Sequence, residues 1–327
     1  MLKTAEAVTL AHPDKVCDQI SDAILDACLA QDPNSRVAVE TMGGHGVITI
    51  TGELTTNARL NLRQIAQEVY TSCGYRDNIG ITVNVVEQSP EISAGVDNDG
   101  AGDQGIMVGY ACNETEELLP LEVVLSRKLV QAMGRHDGKA QVTMKDGKLE
   151  KVLTSLCNSG DMSDVKLEEY VKTELIKYLP EHIKDINEIW LRNPNGSWTI
   201  GGFDADTGVT GRKLAVDNYG PSIPVGGGAF SGKDATKVDR SAAYMARKVA
   251  CDYLKARNAK EVFVHIAYAI GVAQPLMAVV TVDGVQEEIK GYDLRPRAII
   301  ETLGLRKPQF RETAKYGHFG NGFTWDK

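Results

Sequence analysis

The sequence predicts an α+β fold built from three similar layers, each setting hairpin strands against amphipathic helices. Three observations carry this expectation. Apolar residues recur at helical spacing in six separate segments. β-like runs come in neighbouring pairs, divided by short turn signals. And 327 residues, 43% hydrophobic and 24% charged, make an ordinary globular composition too long for one simple core.

Taken in order, Pro13–Gln31 places Val16, Ile20, Ala23, Ile24 and Ala27 on one helical stripe. Arg36–Thr41 and Gly46–Leu54 read as a hairpin turning at Gly43-Gly44, followed by a helix over Ala58–Cys73 and a strand over Ile81–Glu87. The middle stretch repeats the theme: helix Leu121–Met133, strands Ala140–Met144 and Leu149–Ser155, helix Leu167–Leu179. The last has helix Ser241–Lys255, strands Val262–Ile270 and Leu276–Val282, and helix Pro296–Leu303.

The net charge is −8, with no run of five like charges, so a surface for a nucleic-acid backbone is not expected. Six cysteines lie far apart with no C-x-x-C pair, which suits small buried side chains in a reducing cytoplasm better than zinc or disulfides. No stretch approaches a membrane span, so no membrane partner and a soluble, cytoplasmic protein are expected.

Glycine concentrates at Gly95–Gly109, Gly201–Gly211 and Gly220–Gly232, interleaved with acids and lysines. From Gly227 the chain satisfies G-x-x-x-x-G-K, but Asp234 stands where a P-loop needs Ser or Thr for magnesium. The preceding segment holds two prolines and makes a poor buried strand, so the P-loop fold is rejected. A polyphosphate cradle of glycine N–H groups with Lys233 and Lys237, or a plain turn before a helix, both remain open.

Two motifs resolve the function class. Gly100-Ala-Gly-Asp-Gln-Gly105, trailed by Gly109-Tyr110, resembles the hexapeptide signature of the methionine adenosyltransferase (S-adenosylmethionine synthetase) family, and Gly226–Asp234 resembles its second, glycine-rich signature. The resemblance runs from His12-Pro-Asp-Lys15 through Val39-Glu-Thr41, Gly52–Thr56, Gln88-Ser-Pro90, Gly208–Lys213 and Lys237–Tyr244 to Tyr316–Gly320. It implies three α+β domains related by pseudo-threefold symmetry, here 1–98, 99–202 and 203–327. It also implies a homodimer, or a tetramer, with active sites at the subunit interface.

The reaction it implies is attack of methionine sulfur on C5′ of ATP, expelling tripolyphosphate, which is then hydrolysed to pyrophosphate and phosphate. The sulfur carries no proton, so alignment and cations matter more than a general base. By resemblance His12, Lys139, Lys233 and Arg212 are catalytic. ATP is held by these together with Asp137, Ser197, Trp198, Asp206, Lys213 and Ala229, with Trp198 against adenine. Methionine falls to Glu53, Gln88, Asp103, Asp206, Lys237 and Ile270. Two Mg²⁺ ions per site would use Asp14 and Asp239, and K⁺ would use Glu40. Read without the motifs, His12 is a structural hydrogen-bonder and Asp14 a favourable helix-start charge.

The chain is short for that family, notably at Glu91–Asp99, where the family carries an active-site lid, and between Met133 and Asp137. A trimmed lid implies a more open site with slower turnover or looser choice of methionine analogue. The rival readings are an ATPase or kinase and a nucleotide-binding regulatory subunit.

Overall fold

A computed structural model describes residues 1–87, 100–157 and 162–327. Gln88 and the 91–99 link lie outside these residues. The described chain forms three four-stranded mixed or antiparallel sheets with helices packed on them, the expected α+β class.

In the first sheet, β2 (Arg36–Gly44) and β3 (Val47–Thr55) form the expected hairpin, but it turns at His45-Gly46, both at positive φ, and Gly43-Gly44, expected as the turn, ends β2; β4 (Gly80–Val86) runs parallel to β3. The second sheet orders β1 (Leu2–Val8), β6 (Gly138–Lys145), β7 (Lys148–Leu156) and β8 (Trp190–Arg192). The third orders β12 (Val285–Glu288), β11 (Met277–Val282), β10 (Glu261–Tyr268) and β5 (Gly105–Cys112), all antiparallel. The short β9 (Gly208–Val209) closes the first sheet beside β2.

The layers are interleaved along the chain. The N-terminal β1 pairs with β6, β5 pairs with β10, and β9 pairs with β2, so each sheet borrows one strand from a distant stretch. Sequence periodicity misses β1 and β5 for physical reasons. β1 turns only Ala5, Ala7 and Val8 inward, and alanine is a weak strand former. β5 occupies the second half of a glycine-dense stretch; Gly109 is there because a Cβ would sit 2.2 Å from the Ala246 carbonyl oxygen.

Six main helices cover the sheets: α1 (Pro13–Gln31), α2 (Leu62–Ser72), α3 (Leu121–Ala132), α4 (Met162–Tyr170), α5 (Val238–Arg257) and α6 (Pro296–Leu303). α2 starts at Leu62 rather than Ala58, because the Asn61 side chain caps it by accepting from the Gln64 N–H. The expected helix over Leu167–Leu179 begins earlier, at Met162, and loosens into π and 3₁₀ turns after Tyr170. One core joins α1, α5, β2, β3, β5 and β10; a second fills the space between α3, α4 and the β6–β7 sheet. Among the described residues, no helix is long and apolar enough to cross a membrane. All six cysteines are buried, and none forms a disulfide.

Candidate active site

α1 positions the site. Its first thirteen residues, Pro13 to Leu25, are all buried, so every polar side chain among them requires a partner. Asp14, Asp18, Asp22 and Asp26 follow at four-residue spacing, one above the other on a helical face. Each accepts backbone N–H groups from a distant loop: Asp14 from Val209, Asp18 from Gly211, Asp22 from Gly232, and Asp26 from Gln309, Phe310 and Arg311.

The first cluster gathers at the helix start. His12 caps α1, its Nδ1 accepting the Asp14 N–H at 3.2 Å, which leaves Nε2 to carry the ring proton. Burial, then the charges of Lys213 and Lys139, pushes its pKa down to about 3, so the imidazole is neutral at physiological pH. Burial alone would raise the Asp14 carboxyl, but the Lys213 ammonium and the Val209 N–H hold it below its ordinary value. The Arg212 Nε lies 3.7 Å from the same carboxylate, on an exposed side chain.

Lys139, exposed on β6 opposite Val8, bears on His12 through its charge. Asp137 is buried, accepts the Gly202 N–H at 2.8 Å and is pushed by that burial up to about 6. The exposed Asp206 adds its charge against it and accepts the Thr207 N–H. Beside Asp137 opens a cleft of about 610 Å³, lined in part by Tyr75, Arg76, Arg135, His136 and Cys157. Thr199, Ile200 and Gly201 line it too, directly after the exposed Ser197 and half-buried Trp198. Trp190, not Trp198, serves the core, donating its indole N–H to the Thr154 hydroxyl at 2.9 Å.

The second cluster gathers where the glycine loop meets α5. Lys233 pairs with Asp239 at 2.7 Å, and Lys237 with Asp234. Asp234 is buried and also accepts the Val37 N–H at 2.7 Å, which explains an acid where a P-loop carries a hydroxyl. No strand leads into this loop, as the prolines implied. Its glycines serve close packing: a Cβ on Gly226 would meet the Ile106 carbonyl at 1.9 Å, and on Gly228 the Asp239 carboxyl at 2.2 Å. Ala229 is half-buried beside them, its Cβ facing Gly211.

The remaining residues lie on open surface. Glu40 and Glu53 face outward from the β2–β3 hairpin, which also pairs with Lys233 through an isolated bridge at Ala38. Asp103 is exposed, and Ile270 is exposed beside Ala101, two residues away. Among the described residues, no hydrogen bond or ion pair joins the His12 cluster to the Lys233 cluster.

Three family models match in succession: the N-terminal domain of S-adenosylmethionine synthetase over 1–94, the central domain over 98–198, and the C-terminal domain over 200–327. The chain belongs to the S-adenosylmethionine synthetase family. The S-adenosylmethionine synthase of Nitratiruptor sp. is 44% identical over 367 residues, covering 100% of this chain and 95% of its own. That of Brachyspira hyodysenteriae is 42% identical over 374 residues, covering 99% and 95%. This chain is thus an enzyme of that family, and at 327 residues it is shorter than the alignments that span it.

Whether the enzyme's residues suit divalent cations can be judged from their donors. Asp14 and Asp239 offer hard carboxylate oxygens, and each faces a lysine that a cation could displace. Among the described residues, no three His, Cys, Asp or Glu side chains converge. Sequence reasoning passed over Asp18, Asp22, Lys15 and Arg240. Lys15 is fully buried between Asp18 and Asp217, and Arg240 forms a bidentate, fully buried pair with Asp22. The available signal was an acid every fourth residue on a helix too apolar to be a surface one.

Proposed function

We propose that this enzyme joins methionine to ATP, the sulfur displacing tripolyphosphate at C5′, and then hydrolyses the tripolyphosphate to pyrophosphate and phosphate. The observation that carries the reading is the pair of cationic clusters, Arg212–Lys213 with Lys139 and Lys233 with Lys237, each set against a carboxylate on α1 or α5. A leaving group of large negative charge needs such cations, already oriented. His12, neutral with Nε2 bearing the proton, suits donation to the bridging oxygen as charge develops there. The ribose and base fit the cleft at Asp137, with Asp206, Ser197 and Trp198 at its rim and Ala229 beside the phosphate chain.

Methionine is assigned to Glu53, Asp103, Lys237 and Ile270, with Asp206 shared, by the family motifs, as Gln88 is. Mg²⁺ on Asp14 and Asp239, when bound, would neutralise phosphate charge; K⁺ at Glu40 rests on its motif alone. A homodimer with active sites at the subunit interface, as membership of the family implies, is part of the same reading. Domains at 1–98, 99–202 and 203–327 fit the same reading.

The test is a product assay by liquid chromatography with ATP, Mg²⁺ and K⁺, with and without methionine. Methionine-dependent S-adenosylmethionine with equal phosphate and pyrophosphate is the expected outcome. Methionine-independent ADP and phosphate would instead make this an ATPase, and ATP binding without turnover a regulatory subunit.

A further inference from the structure

The loop that carries Arg212 and Lys213 turns its backbone inward. Three successive N–H groups are taken: Val209 by Asp14, Thr210 by the Thr41 carbonyl, and Gly211 by Asp18. Gly211 has φ +83°, a left-handed conformation that aims its N–H at the Asp18 carboxylate 2.8 Å away, and no side chain fits there without meeting Ala229. Those three N–H groups therefore face the protein, while the side chains of Arg212 and Lys213 come to the Asp14 carboxylate.

The same device recurs one turn along α1. Asp22 accepts the Gly232 N–H at 2.8 Å, and its partner Arg240 donates to the Lys233 carbonyl at 3.1 Å, so Lys233 is bracketed on both sides. Four residues of helix set the two anchors about 6 Å apart along α1. Asp18 itself is steadied by Lys15 at 3.2 Å, which is in turn held by Asp217 at 2.7 Å.

We infer that Asp18 is a positioning residue for the reaction: through the Gly211 N–H it fixes the register of Arg212 and Lys213, as Asp22 does for Lys233. Asp18 touches no substrate; it acts through the loop. The inference rests on the reading of those cations as triphosphate contacts.

Two variants test it. Asp18→Asn keeps an acceptor for Gly211 while dropping the charge; Asp18→Val removes both. Both lose the Lys15 ion pair, so both lower Tm. Only Asp18→Val is expected to expose the Gly211 amide to hydrogen exchange and to lower kcat/KM for ATP at least about tenfold. Asp18→Asn keeps protection and stays within about threefold. Activity must follow Gly211 protection; a variant in which the two part company overturns the inference. If Asp18→Val does not fold, Asp18→Asn alone applies the same criterion. Tripolyphosphate affinity, measured by calorimetry, makes the comparison without turnover, so a wild-type protein that forms no S-adenosylmethionine strikes the proposed function and not the anchor.

Discussion

At the scale of single residues, the site is set by charges held ready. Lys233 is fixed by its pair with Asp239 and by backbone contacts through Gly232 and Arg240. Lys233→Ala should therefore remove a preorganised contact and lower kcat by about 10²–10³; steady-state assay at saturating ATP and methionine checks it, and near-normal turnover would undo the assignment of this loop. Deeper in the core, the His318 Nδ1 and the Tyr244 hydroxyl share a 2.8 Å hydrogen bond within a network that runs through Arg240 to Asp22. Burial, then the charges of Arg240, Lys15 and Arg127, pushes its pKa well below 6.5. The unfolded chain then binds a proton below pH 6.5 that the folded protein refuses. Stability from this group is complete above pH 6.5 and falls as pH drops, approaching about 1.4 kcal/mol per unit. His318→Gln should lose stability at pH 7 and show a correspondingly shallower decline from pH 7 to pH 5.5 in urea titrations. Parallel declines in both proteins would refute the role.

At the scale of elements, close packing decides what sequence patterns could reveal. Gly109 lets β5 lie directly on α5, against the Ala246 carbonyl. Gly109→Ala should force the two apart and cost about 1–3 kcal/mol, read from the urea midpoint; an unchanged midpoint would mean the helix yields freely. Elements whose signals are local were legible: α1 and α6 begin at Pro13 and Pro296, each at the first helical position, where a missing N–H costs nothing. Strands built from alanine or glycine, β1 and β5, were not, because their stability comes from partners elsewhere in the chain. The site divides the same way. His12, Asp14 and Lys233 stand in contiguous motifs. Asp18 and Asp22 do not announce themselves, since their partners Gly211 and Gly232 lie 193 and 210 residues away.

At the scale of the whole molecule, two features point beyond one chain. Large apolar side chains stand exposed near the site, Ile270 at 62% and Ile106 at 55% among them, more than isolated surface residues require. And the His12 and Lys233 clusters, both proposed triphosphate contacts, share no hydrogen bond or ion pair among the described residues. A two-fold dimer would bring the first cluster of one copy to the second cluster of the other, giving two equivalent composite sites. Complementation follows from that geometry. His12→Ala and Lys233→Ala homodimers should each be nearly inactive, yet a mixed dimer holds one site with both substitutions and one with neither. Random reassociation of equal amounts should thus recover about one quarter of wild-type activity. The two purified variants would be dissociated in mild denaturant, mixed, returned to buffer and assayed for S-adenosylmethionine. Recovery near that level would establish sites shared between copies, whereas activity no higher than that of the separate variants would mean that one chain supplies both clusters to the same site.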